Sequence, residues 1–496
     1  MRRRIMARGP AIGRAAAKNA VCAAALLLWP LAAAAQTALP APAASPAVSP
    51  SGTPAQSVTL DLAQARAIGV AALNDGRPEV ARDIARALIA RDAKDGFARY
   101  LLAEALSRLG QPAEGRASAA LAFRLAPQKH DRFRAAQLAA KLSFDAGQPT
   151  RAQYWLRRSL PFAPHDQARE QVARDYAQVR ALNPLSFNIN LNASPSSNVN
   201  GGADTEFHQI DGTTLVGTIG AHDQALKGVV ISADLQAAYR LRESAKSETR
   251  LIASLGVSRV ILSQEAYDLA AATPTPLDDD IKNSDFGSTT ARVGLRHGFA
   301  LPLGTGHSGV LTVSVGQTWY AGAAYQDLMR IGAESHWRLA GRTGLSLDLA
   351  AEERRYKSRA LGVTRSKSAT ARLSHRLGNA DTAALSLSYT DTDGTGRNSS
   401  YSRLTAYANY AFADPIGPAK ISLGLGVSKL DGLYQAFITT AREDHSVFGT
   451  VDFVFHDFDY AGFAPSLTLR ARKNRSNVSR YDTTEVSLGL GIKSSF

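Results

Sequence analysis

The sequence predicts two folded units in series, an α-helical solenoid followed by an antiparallel transmembrane β-barrel of about fourteen strands. A Gly-x-Pro motif recurs three times between residues 76 and 152, each time with a small residue three positions after the proline. Beyond residue 184 apolar and polar residues alternate with period two, in segments longer than those of soluble sheets. The connections between these segments alternate between short turns and long polar loops, as in barrels that cross a membrane.

The N-terminus carries a leader. Arg2, Arg3, Arg4, Arg8, Arg14 and Lys18 form a basic region, an apolar run covers residues 20–31, and Ala33-Ala34-Ala35 precedes Gln36. This order predicts a cleaved export signal over residues 1–35, cut between Ala35 and Gln36. The apolar run is about a dozen residues, short of the ~20 that a spanning helix needs. Six basic residues and no acidic one leave with the signal, so the formal charge of +14 falls to +8. Much of the basic balance is thus a leader property, and without a basic helix or a recognised module no nucleic-acid partner is expected. Cys22, the only cysteine, lies inside the signal and before its main apolar run, where a lipid-anchored cysteine would not sit. Thiol catalysis and cysteine-ligated zinc are therefore not expected in the mature chain.

Residues 36–57 are almost wholly Ala, Pro, Ser, Thr and Gly, a composition that cannot bury enough apolar area to offset its ordering entropy. They read as a disordered tether. Residues 58–183 turn to Ala, Leu and Arg at helical spacing, with Val80, Ile84 and Leu88 on one face. Here Gly76-x-Pro78-x-x-Ala81, Gly110-x-Pro112-x-x-Gly115 and Gly147-x-Pro149-x-x-Ala152 recur at intervals of 34 and 37, with Pro127 and Pro164 each 17 residues beyond the second and third glycines. Each glycine permits the turn that ends one helix, and each proline suits the first turn of the next. The pattern resembles the tetratricopeptide repeat (TPR) and implies a short solenoid with an extended docking face; a generic helical bundle is the alternative. The three extra residues of the second interval place an insertion near residues 126–132.

Residues 184–496 alternate. Phe187, Ile189 and Leu191 interleave with Asn188, Asn190 and Asn192; Val486, Leu488, Leu490 and Ile492 interleave with Ser487, Gly489, Gly491 and Lys493. Fourteen strand candidates follow: 185–193, 227–241, 247–262, 285–299, 308–321, 326–339, 343–356, 366–377, 381–391, 399–412, 419–430, 444–456, 461–472 and 481–496. Most exceed the ~9 to 11 residues that cross a membrane obliquely, and the number is even. Segments 194–226, 263–284 and 431–443 read as long loops. With the repeats in the periplasm, every short turn falls on the periplasmic side. Phe299, Phe412 and Phe496 at the inner ends, and Tyr356, Tyr389 and Tyr434 near the outer ends, read as aromatic girdles.

Charges on the strands belong on the inner wall, because hydrocarbon does not tolerate them. Alternation assigns Arg330, Glu334, His336, Arg338, Asp348, Glu352, Arg292, Arg296, Arg372, Arg376, Arg470 and Arg472 to the lumen, either as a solvated wall of paired charges or as a basic conduit that tunes what passes. His297 and His375 share phase with the apolar face near strand ends, which suits the interface better than a metal. Asp278-Asp279-Asp280 lacks the spacing of a calcium loop. The Gly-x-Gly pairs at 424 and 489 sit within strands, not before helices, so no dinucleotide or other cofactor is expected. No spacing singles out a nucleophile and base, and the chain does not read as an enzyme.

Helical repeats joined to one such barrel, with Asn188-Ile189-Asn190-Leu191-Asn192-Ala193-Ser194-Pro195-Ser196-Ser197-Asn198-Val199-Asn200 as an Asn-rich first strand at the junction, resemble the surface lipoprotein assembly modulator (Slam) family. The resemblance spans about residues 60 to 496. It implies an outer-membrane translocon that exports or displays surface lipoproteins or related secreted proteins, with periplasmic repeats docking the cargo. It also implies outer-membrane lipid as surroundings, and the barrel assembly machinery, which reads a C-terminal Phe496, as a partner in biogenesis. The alternative is an exopolysaccharide export porin, since repeats and a barrel are joined there too and a basic lumen suits an anionic polymer equally well.

Overall fold

The computed structural model describes residues 61–494 apart from 212, 215, 274–280, 303–305, 437, 456–457 and 459–462. The expected cleavage point at Ala35 and Gln36, the tether, the Asp278–Asp280 run and Phe496 lie outside the described residues.

Seven helices come first: α1 Leu62–Asn74, α2 Pro78–Arg91, α3 Gly96–Arg108, α4 Pro112–Leu125, α5 Lys129–Asp145, α6 Pro149–Ser159 and α7 Asp166–Leu182. The repeat glycines end α1, α3 and α5 in the left-handed region, with φ of 71°, 71° and 69° at Gly76, Gly110 and Gly147. One residue on, the N–H groups of Arg77, Gln111 and Gln148 donate back to the carbonyls of Ala72, Leu106 and Ser143, the bond that closes a Schellman turn. Pro78, Pro112 and Pro149 then open the next helix, where a missing N–H costs nothing. Ala81, Gly115 and Ala152 are buried between paired helices. Two buried clusters run through the array, one around Leu73, Leu101 and Leu106, the other around Phe123, Leu142, Trp155 and Tyr176.

The extra residues expected near 126–132 lengthen a helix. The α4–α5 connection spans only 126–128, and α5 has 17 residues where α3 has 13. Extra residues with helical propensity add a turn and bury more of their apolar face, whereas a loop would only add disorder.

The strands are β1 Leu185–Ser196, β2 Phe207–Gln209, β3 Val216–Thr218, β4 Gly228–Glu243, β5 Ser247–Leu262, β6 Ser288–Ala300, β7 Ser308–Tyr320, β8 Ala323–Ala340, β9 Thr343–Tyr356, β10 Val363–Arg376, β11 Thr382–Gly394, β12 Tyr401–Ala411, β13 Lys420–Gln435, β14 Thr439–Val454, β15 Phe463–Ser476 and β16 Thr483–Ser494. A helix, α8 Gln264–Ala272, follows β5. β1 and β4 to β16 close into an antiparallel barrel of fourteen strands, with β1 paired to β4 on one edge and to β16 on the other. β2 and β3 form a separate hairpin in the connection from β1 to β4, at the barrel end away from the helices, here called the outer end and its opposite the inner end. The outward set includes Phe187, Leu311, Val313, Leu423, Val427 and Leu490, all exposed, with Leu425 at 62%. A water-soluble sheet would bury such a band; lipid solvates it. No helix among the described residues is long and apolar enough to cross a membrane.

The closing seam is thinner than its neighbours. β1 registers with β4 at every residue from Leu185 to Ser196, but with β16 at Leu191↔Ile492, Asn192↔Gly491, Ala193↔Leu490 and Ser196↔Ser487. Pro195, in the gap, has no N–H to give. The Asn192 side chain lies over Gly489, where an added Cβ would come within 2.8 Å of its Oδ1.

Two expectations about the outer end need correction. Segment 431–443 is not a long loop: β13 and β14 stay paired to Gln435↔Thr439, so its polar residues are strand residues. The β7–β8 connection is the two-residue turn Ala321-Gly322, both with positive φ, as a tight hairpin requires. The long outer excursions are 197–227 and 263–287. Tyr356 and Tyr434 are not girdle residues: Tyr356 shares the inward face with Arg354, and Tyr434 is buried against Ile210 and Val478. Tyr389 faces outward, half exposed.

Candidate functional site

The lumen wall is the candidate site. Arg330, Glu334 and Arg338 project inward from β8 and Asp348 and Glu352 from β9, alternating with outward Met329, Ile331, Leu347 and Leu349. Arg372 lies inward on β10 beside outward Leu373, and Arg470 inward on β15 beside outward Leu469. These seven residues do not converge on one point. Glu352, with a side chain only 8% exposed, takes three guanidinium groups: Arg354 at 2.6 Å, Arg292 at 3.3 Å and Arg330 at 3.9 Å. Nearer the repeats, Glu334 lies 3.3 Å from Arg296 and 3.8 Å from His336. Arg338 packs over Gly306 and joins His336, Arg342 and Arg376 around a cavity of about 630 Å³ at the inner rim. Asp348 stands opposite Glu334 in register, and Arg372 and Arg470 sit further round the ring.

The wall beyond β9 has another character. Ser366 bonds Thr392 and Thr370 bonds Ser388, each at 2.9 Å. The rings of Tyr407 and Phe448 stack 6.0 Å apart over Gly424 and Gly426, where an added Cβ would strike the Tyr407 hydroxyl at Gly424 and the Phe448 ring at Gly426. From β10 to β14 the wall thus adds hydroxyl groups and rings to the arginines of the lumen. Alternation missed Arg354 and Arg250, although each shares the inward phase of its strand. It had no means of finding Arg180, which α7 brings to the inner mouth.

The Asn-rich segment divides. Asn188, Asn190 and Asn192 lie on β1, but Asn198 and Asn200 lie beyond its end, in the outer loop, which corrects their assignment to the first strand. They brace that loop: Asn198 exchanges bonds with Gly202 at 2.8 and 2.9 Å, and Asn200 donates to the carbonyls of His222 and Gln224 while accepting from Leu226 N–H. Asparagine suits a turn because its amide satisfies stranded backbone groups. Braced so, loop 197–227 straps β4 and β5 to β13–β16 over the seam. Leu226 packs with Val260, Leu262 and Ile281, and Ile210 packs with Tyr434 and Val478. His208 shares a 2.9 Å bond with Tyr434, Asp223 pairs with Arg480 at 2.8 Å, and Asp204 accepts from Thr484 N–H and hydroxyl. Burial, then the Arg480 charge, holds the His208 pKa below its usual range.

His297 and His375 sit at inner strand ends, each 2.8 to 2.9 Å from a threonine hydroxyl of the next strand. Among the described residues no group of three His, Cys, Asp or Glu side chains could hold a metal ion.

The helical unit meets the inner rim directly. Arg157 of α6 lies 5.3 Å from the ring of Phe463, and Arg240 of β4 donates to the Ala181 carbonyl of α7 at 2.9 Å. Along α1, α3 and α5 runs a row of basic and aromatic side chains: Arg66 over Phe97 at 5.1 Å and Arg134 over Tyr100 at 4.9 Å. Tyr100 donates to Glu104, and burial together with that carboxylate pushes its phenol up to about 12.

Several solved structures are similar in part. The outer membrane channel DcaP of Acinetobacter baumannii aligns at 11% identity over 63% of this chain and 97% of its own, with a TM-score of 0.35. A BenF-like porin from Pseudomonas fluorescens Pf-5 aligns at 11% identity over 62% of this chain and 98% of its own, with a TM-score of 0.32. Over the helices, the first TPR domain of human RPAP3 aligns at 19% identity, covering 24% of this chain and 91% of its own, with a TM-score of 0.22. No curated protein matches the chain significantly. Residues 282–496, which include all of β6 to β16, match the family described as Surface lipoprotein assembly modifier, the same family that the repeat-plus-barrel order and the Asn-rich junction resemble.

Proposed function

We propose that this protein is an outer-membrane translocon that exports or displays surface lipoproteins, or related secreted proteins, with the helical repeats in the periplasm docking the cargo and the barrel acting as conduit. The observation that carries the reading is the family match, because the matched residues are the barrel wall itself, Arg292, Arg330 and Glu352 among them. The seating of α6 and α7 on the inner rim supports transfer from repeats to lumen without a free gap between them. A fourteen-stranded barrel has a lumen between the filled eight-stranded case and open channels of ~16 strands. Cargo would cross unfolded, or by parting the wall. In this reading the chain performs no catalysis; outer-membrane lipid surrounds it, and the barrel assembly machinery inserts it.

The test is co-expression with a lipoprotein in a host that lacks this protein, reading surface display by protease shaving of intact cells. Display that needs both the barrel and residues 61–183 is the expected result. Export of an anionic polysaccharide with no lipoprotein displayed would overturn the reading in favour of a polymer porin.

A further inference from the structure

We propose that Arg180, Arg250, Arg292 and Arg296 form a binding site at the inner mouth of the barrel for the carboxylates of an extended acidic polypeptide segment. The inference rests on the export reading and names the chemistry of the cargo.

The four arginines line one cavity of about 530 Å³, in which Arg180 comes from α7 and the others from β5 and β6. Its one acidic lining residue is Glu334, already 3.3 Å from Arg296. Arg250 holds Glu248 at 2.5 Å, and Arg292 shares Glu352 with Arg330 and Arg354. Guanidinium groups thus outnumber carboxylates along this path, and the excess charge must be met by water or by an incoming anion. Arginine is suited to the second role, since its planar fork takes a carboxylate with two parallel bonds.

Two features favour a polypeptide over a small anion. Asn188 and Gln236 lie in the same cavity, and an amide both donates and accepts, as peptide groups require; a phosphate needs only donors. The spacing also fits. Inward positions recur at ~6.8 Å along a strand and ~4.8 Å between strands, while alternate side chains of an extended segment recur at the same ~6.8 Å. Arg292 and Arg296 stand four residues apart on β6, ~13.6 Å, with Arg250 opposite Arg296 on β5, so every second acid of an alternating segment lying along the wall meets an arginine. Because Arg180 belongs to the repeats, the site spans both units at the point where cargo would leave one for the other.

The experiment measures binding of labelled hexaglutamate, hexaglutamine and hexalysine to the purified full chain in detergent. Hexaglutamate alone is expected to bind, and R250Q/R296Q to weaken it by about tenfold or more. S422A/T405V on the wall beyond β9, with heat-modifiability as the check on folding, should leave binding unchanged. Equal binding of hexalysine, unchanged binding in R250Q/R296Q, or competition by inorganic phosphate as strong as that of hexaglutamate at equal charge would overturn the proposal. Surface display of a lipoprotein, measured separately, distinguishes the two readings. Hexaglutamate binding with no lipoprotein displayed overturns the export reading and leaves the site. Undiminished display by R250Q/R296Q overturns the site's role in cargo recognition and leaves the export reading.

Discussion

Replacing Glu352 with Gln keeps the side chain's shape and removes one negative charge from among three guanidinium groups. At an effective dielectric of ~20, a unit pair near 3.3 Å is worth ~5 kcal/mol before desolvation. Breaking a buried pair costs ~3 to 5 kcal/mol in practice, whereas an exposed pair contributes ~0 to 1. Glu352 is buried, but Arg292, Arg330 and Arg354 are 31%, 38% and 44% exposed to the lumen, so the water they keep discounts the loss. The expected destabilisation is ~1 to 3 kcal/mol. It should appear as a lower denaturant midpoint for loss of the heat-modifiable band in lipid vesicles. The same change leaves the wall more positive, so the anion-to-cation permeability ratio in planar bilayers should rise. A variant that unfolds at the wild-type denaturant concentration, with unchanged ion selectivity, would show that Glu352 is not the counter-charge that holds these arginines together.

Other consequences are open to measurement. Leu425→Arg, on the lipid face, should cost ~2 to 4 kcal/mol of barrel stability, while Ser428→Arg on the inner wall costs much less; equal outer-membrane yields would refute the assigned facing. Gly426→Leu forces a side chain into the Phe448 ring and should cost ~1 to 3 kcal/mol or block folding, read by heat-modifiability, and Phe448→Ala should restore part of the loss. The depressed pKa of His208 means that the folded strap favours the neutral ring. Its contribution is full above the ordinary histidine range near ~6.5 and declines as pH falls below it. Loop 197–227 on intact cells should thus be cut faster by protease near pH ~5 than near pH ~7.5, and His208→Gln should remove most of that difference.

Much of this was legible in the sequence, for physical reasons. Gly76, Gly110 and Gly147 announce turns because other residues resist positive φ there, and Pro78, Pro112 and Pro149 announce helix starts because an opening helix has no use for their N–H. The strands announce themselves because lipid demands apolar residues at every second position. Contacts between distant strands were not legible. Arg292 and Glu352 meet across β6 and β9 only because of the stagger of the closed sheet, which alternation within a strand cannot supply. Tyr434 misled because an aromatic residue near a strand end looks the same whether it faces lipid or a loop folded back over it. Asn198 and Asn200 misled likewise, since asparagine serves an inner wall and a braced turn equally well.

The seam between β1 and β16 also sets the order in which the molecule is made. Its closing pairs join Leu191 to Ile492 and Ala193 to Leu490, so the ring cannot complete until β16 is present. The repeats, by contrast, are built from contacts between neighbouring helices, and such local contacts form early and fast. The helical unit is therefore complete while the sheet beside it is still an open ribbon with two bare edges. Only insertion of the last strand ends that exposure, which makes the time between these two events the period in which the newborn chain most needs an escort.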